Sequence, residues 1–133
     1  MYILQGDPTP LARARIGRSR MWDPQKEMKL VHGIYLRNQH AGQPIFEEPL
    51  LLKVTFYMPI PPSRRKKIKD FQPHHYKPDL SNLIKYLEDI GTGILYHDDC
   101  LIQACNAVKV YHHNPRTEFE LFTIREHNEK NKE

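Results

Sequence analysis

Few cysteines and no long hydrophobic run are found in this 133-residue sequence. No apolar stretch approaches the roughly 20 residues of a membrane-spanning helix, so we expect no membrane partner. The first residues have neither the basic start nor the apolar stretch of a secretory signal peptide, which predicts a cytoplasmic protein. Cys100 and Cys105 are then expected to be reduced. Without a second cysteine pair, they are interpreted as small core residues rather than zinc ligands.

Internal repeats and low-complexity tracts are also absent, and the length suits one domain. Acidic residues are scarce in the first half of the chain, although the net charge of the whole is only +4. Residues 1–70 contain 13 Lys and Arg against 6 Asp and Glu, and residues 71–133 contain 7 against 10, giving +7 and −3. This asymmetry suits a protein that holds a polyanion with one part and a metal cation with the other. A basic surface that is merely solvated gives the same counts.

Alternating apolar residues predict four strands. They span 2–5, 50–57, 101–111 and 118–124. The second is the clearest, because Leu52, Val54 and Phe56 share one face. The last two are expected to pair as a hairpin around the turn at 114–116. We therefore predict an α+β domain over residues 1–133, in which a mixed sheet of about four strands packs with two main helices.

Two helices are predicted from apolar residues at helical spacing. The first is expected at 25–38, after a start at residues 23–24. Its expected buried side chains are Met28, Val31, Tyr35 and Leu36. The second is expected at 80–90, with Asp79 as its N-cap and Gly91 at its end. Its apolar stripe comprises Leu80, Leu83, Ile84, Leu87 and Ile90.

Basic residues are concentrated in two segments with little apolar content. Residues 63–77 offer few side chains to a core, so we expect a mobile basic loop. A targeting patch and a nonspecific polyanion tether are alternative interpretations of its charge. The second segment, at 13–20, is expected to be exposed. Trp22 follows it; stacking on a base is one role for it, and packing in the core is the preferred interpretation. Residues 126–133 are expected to form a disordered tail.

Acidic residues precede and follow the second helix, which is typical of a metal-dependent site. Asp79 lies at its start, where the helix dipole favours an anion. Asp98 and Asp99 follow a short extended piece at 94–96 and would lie beside Asp79 if that piece ran antiparallel to the helix. Mg²⁺ takes oxygen ligands at about 2.1 Å and can activate water for attack on a phosphodiester. Lys85, on the polar face of the helix, could stabilise the charge that develops.

Each part of this arrangement also has an ordinary structural explanation. Asp79 can be only a helix cap, and the two later aspartates can be only a turn. Lys85 and Asp89 have the spacing of an ordinary ion pair. Only the joint arrangement favours chemistry, because short motifs taken singly have a high false-positive rate.

The same residues resemble the signature of the RusA family of Holliday junction resolvases. That signature reads Lys/Arg-Pro-Asp-Leu-Asp-Asn-Leu-x-Lys, with Asp-Asp about a dozen residues later. Here it is matched by residues 77–85 and by Asp98-Asp99, and Lys109 matches a basic residue often seen in the following strand. Weaker similarity extends upstream, so the resemblance spans most of the chain, although only residues 77–109 are specific.

The resemblance implies an Mg²⁺-dependent endodeoxyribonuclease, with Mn²⁺ as an alternative metal. Such an enzyme binds four-way DNA junctions as a homodimer and resolves them by symmetric cleavage in DNA recombination and repair; a two-fold junction suits a two-fold protein. Position by position, Asp79, Asp98 and Asp99 would be catalytic metal ligands, Lys85 the catalytic cation, and Asn82 a positioning residue. The expected DNA-binding residues are Arg13, Arg15, Arg64, Arg65, Lys66, Lys67, Lys69, Lys77 and Lys109.

Ser81 stands where the family has its second aspartate. A hydroxyl can ligate Mg²⁺ but brings no charge, so Ser81 would be a weak ligand. Glu88 shares the helix face, yet it lies about 10 Å farther along the helix, so we do not expect it to replace the ligand. His74 or His75 would suit Mn²⁺ or Zn²⁺ better than Mg²⁺. The alternatives are therefore a branched-DNA-binding protein with weakened or lost cleavage, and a plain nucleic-acid-binding module with coincidental acids.

Overall fold

The computed structural model describes residues 1–12, 15–16 and 21–131, and within them the chain forms a four-stranded sheet, a two-stranded ribbon and three α-helices. In chain order the elements are β1 (Tyr2–Gln5), β2 (Arg15–Ile16), β3 (Met21–Trp22), α1 (Lys26–Gln39), β4 (Leu50–Met58), α2 (Leu80–Gly91), β5 (Ile102–Tyr111), β6 (Arg116–Thr123) and α3 (Ile124–Asn131). Short 3₁₀ turns lie at Pro62–Arg64 and Asp99–Leu101. The predicted α+β class with a mixed sheet of about four strands is confirmed.

The main sheet has the strand order β1–β6–β4–β5. β4 pairs antiparallel with β6 and parallel with β5, and β1 pairs antiparallel with β6. The predicted hairpin between the last two strands is therefore wrong. Both strands pair with β4 instead, because β4 is the most apolar strand and is buried between neighbours on its two sides. The chain crosses from one side of β4 to the other at residues 112–115.

The core lies between this sheet and the helices. Leu52, Val54 and Phe56 are buried, as predicted for the inner face of β4. The apolar stripe of α2 faces the same core and is confirmed: Leu83, Leu87 and Ile90 are buried, and Leu80 and Ile84 are partly buried. Burial of each large aliphatic side chain contributes about 1.5–3 kcal/mol relative to exposure. The α2 stripe therefore fixes the position of the helix that carries the candidate site residues.

The predicted burial of α1 is largely wrong. Leu36 is buried, but Met28, Val31 and Tyr35 are exposed. The inward face instead contains Gly33, where an added Cβ would lie 3.1 Å from the side chain of Ile94. The inward face therefore has no large side chain at this point, whereas the prediction assumed that large apolar residues mark the inward face.

Three further positions correct the sequence analysis. Trp22 is exposed, and so are both cysteines, which are free thiols as predicted but not core residues. The helix start also differs, because Asp23 accepts a hydrogen bond from the Gln25 N–H at 2.8 Å and Gln25 takes the N-cap position.

The C-terminal segment and the helix lengths complete the description. Residues 126–131, expected to be disordered, belong to α3, and residues 132–133 lie outside the described part of the chain. None of the helices in the described ranges is long and apolar enough to cross a membrane.

Candidate functional site

A tight turn at the end of α2 determines where the chain returns. The hydroxyl of Tyr96 donates a hydrogen bond to the Glu88 carbonyl at 2.8 Å, which folds the turn against the last helical residues. A Cβ on Gly91 would lie 2.7 Å from the Tyr96 hydroxyl oxygen, so a side chain there forces the ring to move. Ile94 and Leu95 are part of this turn, and only Tyr96 of the extended piece predicted at 94–96 forms β-bridges. The turn thus brings the following residues to the C-terminal end of α2.

Four carboxylates gather at this end of α2, and we call them the acidic group. Asp98 accepts a hydrogen bond from the Cys100 N–H at 2.9 Å, which lowers the pKa of Asp98. The pKa of Asp99 is raised by loss of solvent and then by Asp98 and Asp89 beside it. The pKa of Glu88 is raised by burial and then by the charge of Asp99. The members of the acidic group are Glu88, Asp89, Asp98 and Asp99.

Asp79 lies at the opposite end of α2. It takes the N-cap position as predicted, but its side chain makes no capping hydrogen bond. Its carboxylate lies instead 3.3 Å from the Nζ of Lys77, and both side chains are exposed. The side chain of Asp79 therefore does not cap the helix, so capping alone does not explain this residue.

The two ends of α2 are well separated. From Asp79 to Glu88 the helix rises about 14 Å, at ~1.5 Å per residue. Among the described residues, Asp79, Asp98 and Asp99 do not form a group with all ligand atoms within 4.8 Å of one another. The convergence expected from an antiparallel piece at 94–96 is not found within one chain, because the turn returns the aspartates to the nearer helix end. Their assignment as metal ligands stays a prediction.

Lys85 lies between the two ends on the exposed face of α2. Its charge lowers the pKa of Glu88, which places it within electrostatic reach of the acidic group. Asp89 binds the Nζ of Lys29 at 2.8 Å. The ion pair between Lys85 and Asp89 is thus not formed among the described contacts, and Lys85 faces solvent. Ser81, one turn earlier, is exposed as well.

Two backbone contacts position the start of α2. Lys109, on β5, donates from Nζ to the carbonyls of Tyr76 and Pro78 at 2.8 and 2.7 Å. Two of its three N–H donors are thus used to hold the segment before Asp79. The carbonyl of Asn82 accepts a hydrogen bond from the Leu11 N–H at 3.0 Å. The predicted contact of Lys109 with DNA stays a prediction, and holding this segment is a role that sequence reasoning missed.

The basic loop, residues 63–77, is attached to the far end of β5. The Phe71 N–H donates to the Tyr111 carbonyl at 2.7 Å, and the Tyr111 N–H donates to the Gln72 carbonyl at 2.8 Å. The His74 N–H donates to a β5 carbonyl at 3.1 Å. Backbone hydrogen bonds therefore hold the loop in addition to its few apolar side chains. The mobility of the loop stays a prediction.

Asp70, His112 and His113 form a further anchor of the loop, which we call the Asp70 clasp. Asp70 accepts hydrogen bonds from the His113 N–H at 2.8 Å and lies 2.6 Å from its Nδ1, which lowers the pKa of Asp70. Their ligand atoms lie within 4.8 Å of one another, as in a metal site. However, Nδ1 of His112 accepts a hydrogen bond from the Asn114 N–H at 2.9 Å, so a neutral ring carries its proton on Nε2, the atom facing Asp70. A protonated Nε2 is not a metal ligand, and we interpret the cluster as a hydrogen-bonded clasp.

A groove of about 810 Å³ lies beside the basic loop and includes both basic and aromatic side chains. The guanidinium of Arg64 lies 5.5 Å from the ring centroid of Tyr76, and Lys77 lines the same groove. The other predicted DNA-binding residues of the loop are exposed, so their charges face solvent: Arg65, Lys66, Lys67 and Lys69. Arg13 lies outside the described residues, as do Arg18 and Arg20, and Arg15 is described only as backbone of β2.

Sequence reasoning did not find Glu88 as a neighbour of Asp99. The rise of the helix gives the distance of Glu88 from Ser81, but not its distance from residues after the helix. The signal that could have found it is the pair of glycines, Gly91 and Gly93, directly after the helix. Glycines at this spacing favour a tight turn, and Gly93 has a positive φ of 84°. A tight turn leaves the next residues near the helix end that they have just left.

An α+β domain with carboxylates around one helix and a basic loop beside it has the parts expected of a metal-dependent enzyme that acts on nucleic acid. Comparison with known families agrees: the model described as Endodeoxyribonuclease RusA matches residues 5–121. The chain therefore belongs to the RusA endodeoxyribonuclease family. It is also similar to the uncharacterized protein YqaN of Bacillus subtilis (strain 168), with 27% identity over 129 residues, which cover 88% of this chain and 91% of that protein.

Proposed function

We propose that this protein is an Mg²⁺-dependent endonuclease that resolves four-way DNA junctions as a homodimer, in recombination and repair in the cytoplasm. Family membership supports hydrolysis of DNA phosphodiester bonds. The observation that carries the proposal for this chain is the acidic group beside Lys85, in which Asp99 and Glu88 have raised pKa values. Such perturbed carboxylates are typical of functional sites.

The acidic group fits a hard divalent cation, because it offers only oxygen donors. Deprotonated Asp99 repels Asp98 and Glu88, and a bound cation would remove this repulsion. We propose that Asp98 and Asp99 hold Mg²⁺ with support from Glu88, and that Mn²⁺ can replace it. When bound, the cation would activate water and neutralise charge on the cleaved phosphodiester.

The remaining residues have proposed roles in binding DNA and supporting the reaction. Lys85 is exposed and within electrostatic reach of the acidic group, so it can stabilise charge on a phosphate held there. Asp79, at the other helix end, has an uncapped carboxylate that is open to solvent. The family signature alone supports a catalytic role for Asp79. Asn82 positions the start of the helix through its backbone contact, and the basic loop is proposed to grip phosphates.

Cleavage of a synthetic four-way junction tests this function. Wild-type protein is expected to nick the junction in Mg²⁺ and to leave a linear duplex of the same sequence intact. Asp99→Asn and Glu88→Gln should reduce cleavage, with a larger loss for Asp99→Asn, while junction binding is retained. Glu129→Gln removes one exposed carboxylate far along the chain on α3 and serves as the matched control.

The alternatives predict different results in the same assay. Tight junction binding with no nicking in either metal would instead establish a branched-DNA-binding protein without cleavage. Equal affinity for junction and linear duplex would favour a plain nucleic-acid-binding module. If Asp79→Asn abolishes cleavage and Asp99→Asn does not, the catalytic metal lies at the start of α2 and the acidic group is not the site.

A further inference from the structure

The walls of the groove beside the basic loop are largely rigid and apolar. Five prolines line it, at positions 8, 10, 59, 61 and 78. A proline ring fixes φ and leaves no backbone N–H, so these walls offer apolar surface and few hydrogen-bond donors. Attraction of phosphate charge alone requires no such walls. The groove, about 810 Å³ in volume, is therefore suited to an apolar group as well as to charge.

Tyr76 presents an aromatic ring in this groove and is 50% exposed. The ring of His75 packs beside it, with centroids 4.4 Å apart, and the guanidinium carbon of Arg64 lies 5.5 Å from its centroid. A flat group sandwiched between Tyr76 and Arg64 needs about 7 Å, which is two contact distances of ~3.5 Å. Arg64 is exposed, so rotation of its own side-chain torsions can open this gap. Nucleobases stack in this way on tyrosine rings and on arginine planes.

The charges at the groove favour a nucleotide over a neutral apolar ligand. Arg64 and Lys77 both line the groove, together with one carboxylate, that of Asp7. Nζ of Lys77 also lies 3.3 Å from the carboxylate of Asp79, at the start of α2. A nucleotide within a strand carries a phosphate on each side of its base, and the two cations complement that charge. A neutral ligand would make no use of either cation.

His74 adds a polar group to the same groove. Its Nδ1 atom is enclosed and has no hydrogen-bond partner among the residues that the structure describes. Burial lowers the pKa of His74 and the charge of Lys109 lowers it further, so the ring is largely neutral at neutral pH and offers one donor and one acceptor. Buried polar atoms are nearly always hydrogen-bonded in folded proteins. The unpaired nitrogen is therefore a second feature that the polar edge of a base would satisfy.

We propose that the groove binds one nucleobase that has left the base stack of the DNA, held between Tyr76 and Arg64 with His74 at its polar edge. The inference rests on the proposed function for its DNA substrate, and it assigns the part of that substrate that enters the groove. Unstacking costs least for a base that is already unpaired or mismatched, as beside a branch point or at a bulge. The groove would therefore favour branched over linear DNA, a preference that phosphate contacts alone do not give.

A duplex with one bulged nucleotide tests the proposal without any cleavage assay. The comparison DNA is the same duplex with an abasic nucleotide at the bulge, which has the same backbone charge and lacks only the base. Fluorescence anisotropy in EDTA measures the two dissociation constants. Wild-type protein is expected to bind the base-containing bulge about tenfold more tightly, which is the order of effect of one base stacked on an aromatic side chain.

Substitutions in the groove identify the stacking surface. Tyr76→Leu is expected to bring the ratio of the two dissociation constants close to one, with affinity for the abasic bulge retained because the cations remain. Tyr76→Phe keeps the ring and should keep the ratio. Tyr35→Leu, at a tyrosine of α1 that is 49% exposed, is the matched control and should also keep the ratio. His74→Phe keeps a planar ring without its nitrogens and should lower the ratio several-fold.

Equal affinity of the wild-type protein for the two bulges, or failure to bind either, would overturn the proposal. A ratio that survives Tyr76→Leu would overturn the assignment to this groove, and one that survives His74→Phe would overturn the contact proposed for His74. Wild-type protein that prefers the base-containing bulge but cuts no junction contradicts the proposed function and leaves the base site standing. Junction cleavage without any preference for the base does the reverse, so the two failures are distinguishable.

Discussion

Asp99 is the residue whose protonation reports most directly on the acidic group. Its pKa is raised above the ordinary value by desolvation and by the neighbouring carboxylates, and Asp99 in turn raises the pKa of Glu88. A raised carboxyl pKa means that the folded state binds its proton more tightly than the unfolded state. The stability contributed by the protonated form is fully present below the unfolded pKa and is lost as the pH rises through the folded pKa.

We therefore expect Asp99→Asn to lower the pKa of Glu88 toward its ordinary range without restoring it fully, because the burial of Glu88 remains. Titration of the side-chain carboxyl signals by NMR measures this shift directly. Mg²⁺ should lower the apparent pKa of both groups in the wild-type protein, since a cation favours the ionised carboxylates. An unchanged Glu88 pKa in Asp99→Asn would show that the two carboxylates are not coupled.

Ser81 is the position where the chain departs from the family signature. Ser81→Asp restores a carboxylate beside Asp79 at the exposed start of α2. We expect cleavage of a four-way junction to increase and the Mg²⁺ concentration needed for half-maximal rate to fall. Asn128→Asp adds the same charge on α3 and should change neither quantity. Loss of activity in Ser81→Asp would contradict the role that the signature gives to this position.

The turn after α2 leaves no room for a side chain at Gly91. Gly91→Ala is expected to destabilise the protein by about 1–3 kcal/mol, because its Cβ would overlap the Tyr96 hydroxyl oxygen and ring. Chemical denaturation of the variant and the wild type measures the difference in free energy of unfolding. Gly33→Ala is the matched control, since its Cβ would meet only the flexible end of Ile94. Equal effects of the two substitutions would contradict this account of the turn.

The Asp70 clasp makes a prediction about the basic loop. Asp70→Asn removes the charged acceptor for His113, and we expect faster tryptic cleavage at the basic residues of the loop, residues 63–77. The clasp has the opposite pH dependence to Asp99. The pKa of Asp70 is lowered, so its contribution is present above the unfolded pKa and is lost as the pH falls through the folded pKa. Digestion at an unchanged rate in Asp70→Asn would show that the clasp does not hold the loop.

Local patterns in the sequence were sufficient to predict several elements. The alternation in β4 and the stripe of α2 are each determined by residues close in sequence, and both are confirmed. The pairing of β5 with β4 is not local, since it depends on which strand is buried between two neighbours, and the predicted hairpin was wrong for that reason. The inward face of α1 was also misjudged, because Gly33 and Lys29 face the core through packing and an ion pair that periodicity does not reveal.

The sequence proposes the residues of the candidate site but does not give their spatial arrangement. The family signature identified Asp79, Lys85, Asp98 and Asp99 from the sequence. Their arrangement depends on the turn held by Tyr96 and Gly91, which determines the end of α2 to which the aspartates return. That turn separates Asp79 from Asp99 and brings Glu88 into the acidic group. The spacing of these residues along the chain predicts neither of these two effects.

The whole molecule combines an acidic group and a basic loop in one small domain. In the proposed homodimer, the two acidic groups are related by the two-fold axis of the dimer. Symmetric incision of two strands follows from that symmetry, because equivalent sites meet equivalent strands of a two-fold junction.

The most direct test of the central claim is cleavage of a synthetic four-way junction, labelled on each strand in turn, by wild-type protein and Asp99→Asn. We predict paired nicks at symmetric positions on two strands in Mg²⁺, and their loss in Asp99→Asn with junction binding retained. Junction binding by the wild-type protein without any nick in Mg²⁺ or Mn²⁺ would contradict the claim that this chain is a resolving nuclease.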